Sequence, residues 1–203
     1  MRCRDILPVG LLALMLLLGF RGVSWSHPHV FFDSTVTVVF DEKGITGFKI
    51  TWVFDEMFSS MMIHDFDTNG NGRFEASEGE SLRKGAFSNL RHFDYFVHIT
   101  IGDALFKVKY VTDFSADIME DTMIYRFFVP CHIRATGTFK EVCLSVYDRT
   151  FYCSVFLSED PVTYENGAPY QIEQSIETNS DKAYYYGQIY PEEIKVRFKQ
   201  KND

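Results

Sequence analysis

Apolar and polar residues alternate with period two through much of the chain. In the stretch around Trp52, Thr46, Phe48, Ile50, Trp52 and Phe54 share one face, and Gly47, Lys49 and Thr51 the other. That is the pattern of a half-buried strand. Similar runs are STVTVVF, YFVHITI, LFKVKYV, MIYRFFV and EIKVRFK. Breaks fall at DEKG, GD, ATG and ENGAP, each rich in Gly, Pro or Asp turn chemistry. About eight to ten short strands follow, which predicts a mainly β domain, an antiparallel sandwich or barrel-like fold. The stretch from Pro161 to Pro191 is polar and Tyr-rich, and its pattern predicts no element.

The period changes once. In FDEMFSSMMIHDF, apolar residues recur as Phe54, Met57, Phe58, Met61, Met62 and Phe66, which is helical spacing. Asp55 is placed to cap that helix. Leu82, Ala86 and Leu90 mark a second amphipathic stripe. The Met stripe reads as packed core rather than as an exposed docking groove. The chain is thus read as a single β domain over 27–203, with a helix-loop-helix inserted at about 55–90, α+β overall.

Between the two helical patterns lies DTNGNGRFEASE, residues 67–78. A twelve-residue EF-hand loop takes oxygen ligands at positions 1, 3, 5, 7, 9 and 12, with Gly at 6. Counting from Asp67 assigns Asp67, Asn69 and Asn71 to the first three, and Gly72 to the sharp turn. Arg73 then offers its backbone carbonyl, and Glu75 and Glu78 complete the set. Phe74 takes the apolar anchoring position. A register starting at Asp65 fails, because Ala76 would fall at position 12. The competing reading is an acidic Asn/Gly-rich turn. Only Asp67, Glu75 and Glu78 bring charge, so a calcium site here is expected to be weak, roughly 0.1–1 mM, and to brace rather than sense.

Residues 1–26 have the parts of a cleavable signal peptide: Arg2 and Arg4, the apolar run ILPVGLLALMLLLGF, and Ser24 and Ser26 before His27. The run is shorter than the roughly 20 residues that a spanning helix needs, and Pro8 and Gly10 interrupt it. This predicts export to the periplasm and a chain soluble after cleavage. Net charge is −8, and loss of three Arg and one Asp with residues 1–26 takes it to −10. Such acidity argues against nucleic acid and anionic membrane surfaces as partners. Export permits disulfides. Cys143 and Cys153 sit on strand-like runs either side of Asp148 and Arg149, so a bridge between them is open, with Cys131, beside His132, left as a buried thiol or a metal ligand.

Cleavage would leave His27-Pro28-His29 at the new terminus. A terminal His offers amine and imidazole to one ion, and His29 projects to the same side. Pro28 has no N–H, which excludes square-planar copper through backbone amides. Nickel, cobalt, zinc or copper through imidazole and amine remain. The alternative is that His27 and His29 simply begin a strand. His64, His92 and His98 are read as surface or capping residues. No Ser/His/Asp spacing, nucleophile elbow or phosphate-binding Gly loop occurs, so the chain is read as a non-enzyme. A copper brace on the terminal His would need a further His brought close in space.

The HPHVFFD start, the strand leading into WVFDEMFS, the single D-x-N-x-N-G loop and the following NLRHFDYFVHITI resemble an uncharacterised bacterial family. That family is described as a periplasmic component of ABC-type transport systems, and the resemblance covers nearly the whole mature chain. Its members are often encoded near nickel/cobalt-type permeases, which implies transition-metal handling outside the cytoplasm and an inner-membrane metal transporter as partner. The expectation is a calcium-braced accessory protein for divalent transition-metal transport. The alternative is a calcium-dependent interaction module without transition-metal binding. Alternating βαβ signals are absent, so a two-lobed solute-binding architecture is not expected.

Overall fold

The computed structural model describes residues 28–201. The expected signal peptide, Cys3 and His27 lie outside them. The chain opens with strands β1 (Val30–Asp41) and β2 (Gly44–Phe54). Helices α1 (Glu56–Phe66) and α2 (Ala76–Gly85) come next, then a run of 3-10 turns over Phe87–Phe96. Eight strands complete it: β3 (Val97–Ile101), β4 (Ala104–Phe106), β5 (Thr112–Met119), β6 (Thr122–Arg134), β7 (Lys140–Val146), β8 (Cys153–Glu165), β9 (Tyr170–Thr178) and β10 (Glu192–Gln200). They form two five-stranded sheets, ordered β5-β6-β2-β1-β8 and β4-β3-β7-β10-β9. The β1–β8 pair is parallel and the other pairs are antiparallel. The fold is therefore the predicted mainly β sandwich with an inserted helix-loop-helix, α+β overall. No helix among the described residues is long and apolar enough to cross a membrane.

Alternation builds the core. On β1, Val30, Phe32, Val36, Val38 and Phe40 are buried, and they face Phe48, Ile50, Trp52 and Phe54 of β2. Contact between sheets runs through Phe40, whose ring lies 4.7 Å from Tyr170 and 5.4 Å from Phe198. Each such side chain, fully buried, contributes roughly 1.5–3 kcal/mol of transfer free energy. The β2 pattern slips at its start. A bulge between Ile45 and Gly47 turns Ile45 inward, and half-exposed Thr46 donates to the Val39 carbonyl at 3.2 Å. A Cβ on Gly47 would meet the Val129 carbonyl at 2.3 Å, so only glycine lets the strands close here.

Several expectations are corrected. Of LFKVKYV only Leu105 and Phe106 are strand, at the end of β4, because residues 107–111 have no strand partner among the described residues. The Tyr-rich stretch holds the end of β8, all of β9 and a loop. Pro161 is tolerated because β8 is an edge strand and its register with β1 breaks there. Cys143 and Cys153 lie in different sheets, since the chain crosses over between β7 and β8 instead of turning back as a hairpin. All three described cysteines are free thiols. The Met stripe is split: Met62 is buried, whereas Met57 is 70% and Met61 51% exposed.

Candidate calcium loop and the histidines

The insertion is tied to the sheet at its entrance. Asp55 is extended, and its Oδ1 accepts from the Phe58 N–H at 2.9 Å, capping α1 as predicted. Its Oδ2 accepts from the Phe31 N–H at 2.8 Å, which joins the same cap to β1. One turn on, Ser59 is fully buried and its hydroxyl accepts from the Met123 N–H of β6 at 2.9 Å. Leu82 of α2 enters the same core, and Phe58, Phe66 and Phe74 pack partly buried against it.

The loop between α1 and α2 is organised by its own backbone. Asp67 accepts from the Asn71 N–H at 3.1 Å and from the Gly72 N–H at 2.9 Å. Asn69 accepts from the Asn71 N–H at 3.0 Å, and Asn71 from the Arg73 N–H at 3.0 Å. Gly72 has φ +75° and Gly70 φ +68°, the left-handed region that favours glycine. The sharp turn thus falls where the motif requires it.

Glu75 and Glu78 begin α2. Glu78 is buried, and its Oε2 accepts from the Glu75 N–H at 3.0 Å. Its Oε1 accepts from the Thr68 N–H at 2.8 Å and the Thr68 hydroxyl at 2.7 Å. These bonds, the Thr68 hydroxyl first, hold its carboxyl below the usual range. Asn71 Nδ2 donates to Glu75 Oε1 at 3.0 Å. Among the described residues no three His, Cys, Asp or Glu side chains are gathered for a metal. The donor set fits calcium in kind and order only with the Asn69 and Asn71 amides and the Arg73 carbonyl included.

The described histidines do not assemble. His29 is exposed, its N–H donates to the Tyr152 carbonyl at 2.9 Å, and its ring lies 5.1 Å from that of Tyr152. His64 and His92 are exposed on the insertion. Cys131 and His132 occupy opposite faces of β6, and burial pushes the Cys131 thiol up to about 12. His98 contradicts its expectation, because it is buried. Its Nε2 lies 3.1 Å from the Tyr147 carbonyl, an acceptor only, so Nε2 carries the proton. Nδ1 then offers its lone pair to Arg149 Nη2 at 3.5 Å. Burial drives its pKa down to about 4. The local signal was slight: VHITI carries no charge on either face, but the residues that cover it come from distant loops.

A family model described as "Protein of unknown function (DUF1007)" matches residues 12–202. The chain belongs to the DUF1007 family. An uncharacterised 15.5 kDa protein from the trpE 3′ region of Spirochaeta aurantia is 33% identical over 131 residues. That match covers 64% of this chain and 93% of that protein. An uncharacterised protein of Haemophilus influenzae is 26% identical over 133 residues, covering 64% of this chain and 62% of that one. The DUF1007 match and these relatives carry no statement about transport or calcium.

Proposed function

We propose that this DUF1007 protein is an exported, calcium-braced accessory protein for divalent transition-metal transport, not an enzyme. The observation that carries the reading is the loop: Asp67, Asn69 and Asn71 each accept loop N–H groups, with Gly72 at φ +75°. Asp67, Asn69, Asn71, the Arg73 carbonyl, Glu75 and Glu78 would hold calcium. The ion would supply charge that fixes α1 to α2 against the sandwich. Removal of residues 1–26 in the periplasm would leave His27 and His29 at the new terminus as ligands for nickel, cobalt, zinc or copper, which the protein would pass to or from an inner-membrane transporter. The acidic balance suits cation traffic.

Calorimetry on correctly processed protein tests both parts. Calcium binding that disappears in Glu78→Gln is the expected result for the loop. Nickel or zinc is then titrated with calcium saturating; equal binding by a His27→Ala/His29→Ala variant removes the transport half. A second reading is favoured by one observation, the exposure of Met57 and Met61 on α1. Soft apolar side chains on a calcium-braced helix suit a calcium-dependent docking face. Calcium-dependent capture of a partner without transition-metal affinity would select it.

A further inference from the structure

The ring of Tyr147, just past β7, lies 4.0 Å from that of His98 on β3 and 4.6 Å from that of Tyr184. Beside them opens a cleft of about 480 Å³, bordered by Thr100, Arg149, Lys182 and Tyr185. That size falls within the range of small-molecule sites. None of its lining residues belongs to the helical insertion.

The two cations of the cleft differ. Lys182 is neutralised, with Nζ 2.6 Å from Glu193 Oε2. Arg149 is exposed and forms no ion pair among the described residues. It meets instead the neutral Nδ1 of His98 at 3.5 Å. His98 is thereby a positioning residue: it accepts one guanidinium N–H and leaves the remaining donors to a ligand. In a protein of net charge −8, this is a cation kept without a carboxylate.

The backbone around the cleft is strained. Tyr185 and Tyr186 have φ +46° and +57°, and Phe151, two residues beyond Arg149, has φ +57°. Asp94, Tyr95 and Phe96, leading into β3, have φ +52°, +53° and +57°. The Phe96 carbonyl accepts from the Tyr147 N–H at 2.9 Å, and the Phe151 ring lies 5.2 Å from Tyr185. Left-handed non-glycine residues are strained, and such residues gather at ligand sites. Of these residues Tyr185 lines the cleft itself, and the other two segments adjoin its lining at Arg149 and Tyr147.

We propose that this cleft binds a small monocarboxylate with a flat apolar body, the carboxylate on Arg149 and the body against Tyr147, Tyr184 and Tyr185. The planar fork of a guanidinium matches a carboxylate through two parallel bonds. A single cation outside any ion pair suits one negative charge; a phosphate dianion would add a second beside the Asp148 carboxylate, which already acts on Tyr184. The tyrosine rings supply the apolar wall.

Titration of the full processed protein with 4-hydroxyphenylacetate, followed by NMR of the tyrosine rings, tests this. The expected result is saturable shifts with a Kd of about 1 mM or tighter. 4-Hydroxyphenylacetamide, of the same shape without the charge, is expected to bind about tenfold more weakly. Arg149→Gln should lose the same factor, with Arg149→Lys between; Arg149 is exposed, so circular dichroism should match wild type. Absence of saturable shifts, equal binding of acid and amide, or an unaffected Arg149→Gln overturns the proposal. Tighter binding of inorganic phosphate overturns the choice of a monoanion.

Discussion

His98 shows how one side chain is governed by segments remote from it. Its neutral form is favoured in the fold, chiefly by burial and further by Arg149 and Lys182, while the Tyr147 carbonyl and Asp94 oppose. The unfolded chain takes up a proton below its ordinary value of 6.5, whereas the folded chain waits until about 4. Stability is therefore full above pH 6.5 and falls as pH drops through that window, by about 2–3 kcal/mol. Urea unfolding at pH 7 and pH 4 should show that extra loss in wild type and not in His98→Gln. Ser59 makes a simpler case. Ser59→Ala leaves the Met123 N–H buried without its partner, and a loss of about 1–3 kcal/mol is expected from the same measurement. Neither role was legible in the sequence. Ser59 stands in a helical stripe as an unremarkable polar residue, and its partner lies 64 positions away.

The helix-loop-helix was the most legible element, because its signals are local. A cap, a glycine turn and a carboxylate three residues into the next helix act within a dozen positions, so Asp55, Gly72 and Glu78 could be placed from spacing alone. What spacing could not give was which face turned outward, and Met57 and Met61 went the wrong way for that reason. Helical period identifies a stripe, not the width of the surface that covers it. Asp55→Ala removes the cap on α1 and its tie to β1, and should lower stability by about 1–2 kcal/mol in thermal unfolding. If the loop holds calcium at 0.1–1 mM, raising the ion to 10 mM should stabilise the protein by about 1.5–3 kcal/mol. A melting curve that ignores both calcium and chelator would refute the brace.

At the scale of the molecule, alternation identified most of the strands, though not β5 or β9, and not which strands are neighbours. The parallel β1–β8 pair and the crossover after β7 depend on how two sheets close over a shared core. The cysteines follow from that arrangement: Cys143 and Cys153 sit in opposite sheets, and burial pushes their thiols up to about 11 and about 12. A reducing agent should leave Tm unchanged, and alkylation should reach Cys131 only after unfolding. The place of β1 between β2 and β8 has a kinetic consequence. As the ribosome makes the chain, the β1–β2 hairpin can form once Phe54 has emerged, yet the other edge of β1 stays bare until β8 follows. At ordinary rates of translation that interval is on the order of ten seconds. A nascent chain with a Val- and Phe-rich edge open that long is a natural client for a holding chaperone.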